Sequence, residues 1–194
     1  LNLLFGYQPN ENWNLYAGAV YQTVDGTVLL RGTTYSVFNG YDFRTGEDES
    51  VGWLAGIAYQ IPEIALKASV TYRAEIEHKM NASENFGSAA IPTNPLNPVI
   101  STITSTNSET KLTTPQSINI DFQPGIMANT VAFANVRWVD WSKFKVQPYQ
   151  FGKLSQYLGQ NNLVPNKPNG FNLIDYKEDQ ISATVGIGRK FKGS

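Results

Sequence analysis

The chain has 194 residues, a formal net charge of -1 and a single histidine. This length favours one domain, and the balanced charge argues against nucleic-acid binding, because no basic surface is available to release counterions. The absence of cysteine excludes disulfides and thiolate chemistry, and one histidine excludes His-rich metal clusters. A charged fraction of 16% with 12% aromatics is more typical of an outer-membrane β-barrel than of a cytoplasmic enzyme.

Alternation of apolar and polar residues predicts about seven strands, and no convincing helix apart from a short candidate at 151–158. The predicted strands, in chain order, are 1–7, 13–30, 51–60, 65–80, 112–123, 129–146 and 180–191. In the fourth, Lys67 and Arg73 share a polar face, whereas Val70 and Ile76 share the apolar one. At about 3.3 Å per residue this strand would extend roughly 50 Å, which is typical of strands that cross a membrane and protrude from it.

Three positions interrupt or modify this pattern. Pro115 cannot donate to a ladder, so we expect its strand to begin after it. The alternation fails at 139–141, which predicts a β-bulge or the membrane edge, with Asp140 reaching water. His78 falls on the outward face of its strand, where we expect it to lie at the membrane interface.

The predicted connections alternate in length along the chain. Those at 8–12, 61–64 and 124–128 are short, whereas those at about 33–50, 82–110 and 150–177 are long. Short periplasmic turns and long extracellular loops are typical of outer-membrane barrels. We therefore expect one partial, all-β, antiparallel transmembrane β-barrel domain over 1–194, with the three long loops extracellular.

Two stretches of the chain resemble a known family. The first is Gly-Trp-Leu-Ala-Gly-Ile-Ala-Tyr at 52–59, followed by the strand at 66–76. The second combines 114–118 with Val-Arg-Trp-Val-Asp-Trp-Ser-Lys-Phe at 136–144. Together with the loop pattern, they resemble the long-chain fatty-acid transporters of Gram-negative outer membranes, the FadL/TodX or OMPP1-like type. The resemblance implies the middle half of a barrel of about 14 strands, without the N-terminal hatch and the closing strands.

The resemblance also implies a function. We expect passive transport of hydrophobic molecules, above all long-chain fatty acids, through a plugged barrel in the bacterial outer membrane. It implies no enzymatic activity, no cofactor and no metal. The expected partners are a fatty acid or other hydrophobic ligand, outer-membrane lipid and lipopolysaccharide; we expect no nucleic acid and a monomeric state.

Two sets of residues are candidates for ligand binding. In the lumen, a carboxylate could be met by Lys67, Arg73, Arg137 and Lys143, although such cations can instead pair with neighbouring carboxylates. In the second long loop, an apolar capture groove could be formed by Phe86, Ile91, Leu96, Val99 and Ile100, although these side chains can instead pack on one another.

Two other classes of protein fit parts of the sequence. A general diffusion porin or outer-membrane adhesin would share the barrel but would lack an apolar loop groove. A soluble β-sandwich binding module fits the alternation as well, but not the strand lengths or the asymmetry of the loops.

Overall fold

The computed structural model describes residues 1–86, 105–127 and 129–190, and these residues are mostly antiparallel β-structure. The strands are β1 (Asn2–Tyr7), β2 (Trp13–Leu29), β3 (Asp42–Ile61), β4 (Leu66–Arg73), β5 (Ile76–Asn85), β6 (Ser105–Thr114), β7 (Ser117–Gln123), β8 (Gly125–Met127), β9 (Thr130–Val139), β10 (Lys145–Val146), β11 (Ile174–Asp175) and β12 (Gln180–Arg189). The α-helix α1 (Tyr149–Gln160) confirms the short helix expected at 151–158. None of the helices in these ranges is long and apolar enough to cross a membrane.

The main sheet has the order β1-β2-β3-β4-β7-β9-β12, and all of these neighbours pair antiparallel. The hairpin of β5 and β6 extends the sheet along the first part of β3. The seven predicted strands are all present as strand regions, but the predicted strand 65–80 is broken at Ala74 and Glu75. A second break follows at Pro115 and Gln116, where the proline was expected to interrupt the ladder.

These breaks divide the sheet into two parts. We call the first the lower sheet: it comprises β1, β4, β7, β8, β9 and β12 with 13–21 of β2 and 51–61 of β3. We call the second the upper sheet: it comprises β5 and β6 with 22–29 of β2 and 42–50 of β3.

The predicted bounds of the long loops, about 33–50, 82–110 and 150–177, are too wide. β3 begins at Asp42, β5 continues to Asn85 and β6 begins at Ser105. The upper strands expose charged residues such as Glu47 and Glu49, so their composition looks like that of a solvated loop.

In the lower sheet, the outer face is apolar and the inner face is polar. Val70 of β4 stands between Ile57 and Ile120 on the outer face, and all three are partly exposed. The inner face of β4 carries Lys67, Ser69, Thr71 and Arg73 opposite Gln123, Asp121, Asn119 and Ser117 of β7. This is the polarity of a wall that has lipid outside and a polar lumen inside.

In the upper sheet the polarity is reversed. Ile76, Met80 and Ala82 of β5 are buried on the inner face, whereas Glu77 and Lys79 between them are exposed outside. The inner face packs against a hydrophobic core made of Phe38, Tyr41, Phe43, Ala82, Phe86, Val146, Phe151, Leu154 and Leu158.

Helix α1 and the segment 161–173, which we call the cap, cover this core. The helix has no side-chain N-cap of its own. Instead, the fully buried carboxylate of Glu84 accepts hydrogen bonds from the backbone N–H groups of Gln150 and Phe151, each at 2.9 Å, and from the Tyr41 hydroxyl at 2.8 Å. A carboxylate at this position stabilises the first turn by satisfying its free N–H groups and the positive end of the helix dipole.

Candidate functional site

A cavity of about 670 Å³ lies on the inner face where the lower and upper sheets meet. Its walls come from strands between β1 and β12, so the sheet curves around it. The lining combines two arginines with apolar, aromatic and uncharged polar side chains: Arg73 and Arg137; Val20, Ile76 and Val139; Trp141 and Phe144; Asn2, Gln22, Thr114, Ser117, Gln180 and Ser182. Apolar walls with convergent polar groups are the usual form of a small-molecule site.

Arg73 and Arg137 are the charged groups of this cavity. They project from the inner face at positions opposite Ser117 and Asn119 of β7. Within the described ranges, neither guanidinium makes an ion pair or a hydrogen bond. Two such donors that line one cavity can bind a carboxylate through charge-assisted, bidentate hydrogen bonds.

The other two predicted lumen cations lie elsewhere. Lys67 lines a second, smaller cavity at the other end of β4. Lys143 is outside both cavities: its ammonium lies 3.1 Å from the carboxylate of Glu75, which raises the lysine pKa by hydrogen bonding and by charge. Lys143 therefore follows the alternative given in the sequence analysis, in which the cation pairs with a neighbouring carboxylate.

Phe86 is 1% exposed and packs against Tyr41 and Phe38, with ring centroids 4.7 and 6.4 Å apart. It is a core residue beneath the cap, not part of an exposed groove. The other predicted loop residues, Ile91, Leu96, Val99 and Ile100, lie outside the described residues.

The expectation for His78 is wrong. Its side chain is fully buried on the inner face, with Nδ1 2.9 Å from a carboxylate oxygen of Asp48 and Nε2 3.4 Å from the amide oxygen of Gln22. The break at Ala74 and Glu75 exchanges the two faces of the strand, so the residue expected outside faces inward.

The expectation for Asp140 is also corrected. β9 ends at Val139 without a bulge, and Asp140 is buried instead of reaching water. Its carboxylate accepts hydrogen bonds from the Ser142 hydroxyl and from the amide of Gln116, and these hydrogen bonds lower its pKa.

The aromatic wall of the main cavity was not anticipated from the sequence. Trp141, Phe144 and Tyr176 form a three-ring cluster with centroids 5.3 to 5.7 Å apart. The failure of alternation at 139–141 was the only local signal that the chain leaves the sheet here and turns these rings inward.

Below the cavity, the inner face carries a polar network. The carboxylate of Asp121 accepts hydrogen bonds from the amides of Asn119 and Asn135. No group of three or more potential metal ligands occurs within residues 1–86, 105–127 and 129–190. The side chains of the main cavity offer hydrogen bonds, positive charge and apolar contact, and those of the second cavity add the carboxylate of Asp121.

An antiparallel sheet with an apolar outer face, a polar inner face and a ligand-sized cavity on its concave side belongs to a transmembrane β-barrel. The family of outer-membrane transport proteins described as OMPP1/FadL/TodX matches residues 1–172, and the chain belongs to this family. The family consists of transport proteins, and membership locates the chain in the bacterial outer membrane.

Two solved structures are similar in fold. The toluene transporter TbuX of Ralstonia pickettii aligns with a TM-score of 0.55 and 11% identity, over 99% of this chain and 51% of that one. The monoaromatic hydrocarbon channel CymD aligns with a TM-score of 0.56 and 14% identity, over 99% of this chain and 55% of that one. The chain thus spans about half the length of each. A search of curated protein sequences finds no significant match.

Proposed function

We propose that the protein containing this chain lets hydrophobic molecules diffuse passively across the outer membrane, and that its ligands are long-chain fatty acids. The observation that supports this choice is the pair of arginines, which have no partner among the described residues, in a cavity whose lining also includes apolar and aromatic side chains. A fatty acid has the matching chemistry, since one end is a carboxylate and the rest is alkyl chain.

In this proposal, Arg73 and Arg137 hold the carboxylate while the alkyl chain contacts Val20, Ile76 and the ring of Trp141. No covalent step takes place. The cap and the upper sheet face the cell exterior, and outer-membrane lipid and lipopolysaccharide contact the outer faces of a monomer. The long loops named above lie on that exterior side.

Neutral monoaromatic hydrocarbons are a second candidate. The three-ring cluster of Trp141, Phe144 and Tyr176 favours them, because aromatic rings pack well against aromatic ligands. The two structural neighbours are a toluene transporter and a monoaromatic hydrocarbon channel. Such ligands carry no charge, so they would leave both arginines without a partner.

Uptake by cells that produce the full-length protein separates these candidates. We expect the double variant Arg73→Gln, Arg137→Gln to take up oleate roughly tenfold more slowly, because the carboxylate loses its charge-assisted hydrogen bonds. Toluene uptake should stay at the wild-type rate. Arg44→Gln, which removes an exposed arginine from the outer face of the upper sheet, should change neither rate.

Two results would contradict the proposal. Wild-type oleate uptake by the double variant would show that the arginines do not meet the carboxylate. Transport of toluene but not of oleate by the unmodified protein would favour the second candidate.

A further inference from the structure

The buried side chain of His78 is connected to the wall of the main cavity through Gln22. Gln22 lines this cavity, and its amide oxygen lies 3.4 Å from Nε2 of His78. The same oxygen lies 3.1 Å from the hydroxyl of Thr114, which also lines the cavity. The other ring nitrogen of His78, Nδ1, lies 2.9 Å from a carboxylate oxygen of Asp48. A continuous series of polar contacts therefore joins Asp48 of β3 to the cavity.

The imidazole ring of His78 lies between two hydrogen-bond acceptors. An ionised carboxylate can only accept, so the ring donates its Nδ1 proton to Asp48; a proton at Nε2 alone would leave the Nδ1 lone pair against the carboxylate. The amide oxygen of Gln22 also only accepts, so its contact with Nε2 needs a second ring proton. Both contacts are therefore hydrogen bonds only when the ring is a doubly protonated imidazolium.

Loss of the second ring proton reverses the favoured orientation of the Gln22 amide. The neutral ring then has a lone pair at Nε2, which repels the amide oxygen and accepts a hydrogen bond from the amide NH₂ group. Once the amide has turned over, its NH₂ group also donates to the Thr114 hydroxyl oxygen. That hydroxyl donates in turn to the backbone oxygen of Ile76, 3.3 Å away. The two protonation states of the ring therefore fit two orientations of one amide, each with its hydrogen bonds made.

The surroundings of the His78 ring contain few charged groups. Within the described ranges, the fully buried ring pairs with Asp48, whose own side chain is 23% exposed. The carboxylate of Glu84, six positions further along β5, is held by the Tyr41 hydroxyl and the start of α1. The other inner-face neighbours are uncharged: Gln22 of β2, Ser50 of β3, Ile76 and Met80 of β5, and Thr110, Leu112 and Thr114 of β6. The arginines of the main cavity line the same space as Gln22.

The two orientations of Gln22 present different groups to the cavity. When His78 and Thr114 hold the amide oxygen, the NH₂ group has no partner within the described ranges and is free to donate to a ligand. It then adds an uncharged donor to those of Arg73 and Arg137 in one lining, which contains no carboxylate. After the amide has turned over, its oxygen faces the cavity instead and repels an anionic ligand.

We propose that Gln22 is a further ligand-binding residue of the main cavity, and that the second ring proton of His78 determines whether it donates to an anionic ligand or repels it. His78 is a positioning residue, since it acts on the ligand only through Gln22. This inference rests on the proposed function, because it concerns the same cavity and the same carboxylate end of the ligand. It adds control by pH: the anion is held tightly while the ring is doubly protonated and more weakly when the ring is neutral.

The test measures equilibrium binding to the full-length protein in lipid vesicles between pH 5 and 8, the range in which histidine side chains exchange a proton. The anionic probe is dodecanesulfonate, which stays ionised throughout this range, and the neutral probe is dodecanol. We expect the wild-type affinity for dodecanesulfonate to fall about tenfold from pH 5 to pH 8, because a hydrogen bond to a charged group is replaced by a repulsive contact. The affinity for dodecanol should stay constant.

Two variants identify the groups responsible. Gln22→Met keeps the length of the side chain without a donor or an acceptor, so its affinity for dodecanesulfonate should not change with pH and should lie between the two wild-type extremes. His78→Gln keeps a hydrogen-bonding side chain that does not titrate, and its affinity should also be constant. Glu77→Gln, which removes the exposed carboxylate next to His78 on the outer face, should keep the wild-type pH profile.

The outcomes separate this inference from the proposed function. If Arg73→Gln with Arg137→Gln abolishes binding of dodecanesulfonate while the wild-type affinity does not change with pH, the inference is wrong and the proposed function stands. A pH dependence that persists in Gln22→Met would assign the proton to another group and would also overturn the inference. Undiminished binding of dodecanesulfonate by the arginine double variant would contradict the proposed function, and this inference with it.

Discussion

The lower and upper sheets use the same two-residue alternation in opposite senses. In the lower sheet, apolar side chains point outward and remain exposed, and Val185 and Ile187 of β12 are 80% and 72% accessible. In the upper sheet, Met80 and Phe43 point inward and are 2% and 4% accessible. This difference between the two sheets shows that the surroundings of each face, whether lipid, water or protein core, determine which face is apolar. Lipid covers the outside of the lower sheet, whereas the upper sheet has water outside and its own core inside.

The reversal depends on odd steps in three neighbouring strand regions. Arg73 of β4 and Ile76 of β5 both face inward and are three positions apart in the chain. Thr114 of β6 and Ser117 of β7 also face inward and are likewise three positions apart. In β3 an extra residue follows Thr45, because Val24 pairs with Asp48 but Gly26 pairs with Thr45. Since side chains alternate with a period of two, an odd step exchanges the faces. The three irregularities therefore exchange the inner and outer faces of neighbouring strand regions together.

Replacing Glu84 tests whether the upper sheet depends on its own core. Glu84→Ala leaves the Tyr41 hydroxyl and two backbone N–H groups of α1 without an acceptor in a buried position. Because each unpaired buried donor costs about 1–3 kcal/mol, we expect the cap to be destabilised by roughly 3 kcal/mol or more. Hydrogen exchange of the full-length protein should show α1 losing protection while β9 and β12 keep theirs.

The control for this variant is Glu77→Ala, which removes an exposed carboxylate from the outer face of the same strand. It should change the stability by no more than about 0.5 kcal/mol. If α1 retained its protection in Glu84→Ala, the cap would not depend on this carboxylate.

A charge on the outer face tests the polarity of the two sheets directly. Val70→Arg places a cation between Ile57 and Ile120, where we expect lipid, and should cost about 2–4 kcal/mol. Asn81→Arg makes the same change on the exposed outer face of the upper sheet and should cost almost nothing. Denaturant unfolding in lipid vesicles measures both. Equal effects for the two variants would contradict the assignment of the apolar outer face to the bilayer.

A smaller effect concerns alkaline pH and the core beneath the cap. Burial, together with the charge and hydrogen bond of Glu84, raises the pKa of the Tyr41 hydroxyl. The folded state therefore favours the neutral phenol. This contribution is fully present below the ordinary tyrosine pKa of about 10 and is lost as the pH rises above it.

We expect protection of α1 against hydrogen exchange to fall above about pH 10 in the wild-type protein. Tyr41→Phe cannot ionise, so its protection should start lower and decline less. Identical pH profiles for the two proteins would mean that ionisation of Tyr41 does not affect the stability of the core.

Alternation along the chain was sufficient to predict most strands of the lower sheet and the polarity of that sheet, because one face contacts lipid and the other does not. The inward positions of Lys67 and Arg73 are correct predictions of this kind. His78 was misassigned because alternation was continued through Ala74 and Glu75, where the ladder breaks. For Phe86 the sequence left open a capture groove or packing against other apolar residues, because an apolar residue in a supposed loop carries no sign of the core that covers it; the structure shows packing.

Local pattern also led to the family and hence to the outer membrane, since both depend on short stretches of sequence and on loop order. The division of the inner face into an arginine cavity and a separate lysine cavity depends instead on the pairing of distant strands. The same holds for the ion pair of Lys143 with Glu75 and for the carboxylate of Glu84 at the start of α1. Each of these contacts joins residues far apart in the chain, so it is set by strand register and by the curvature of the sheet, which local periodicity does not contain.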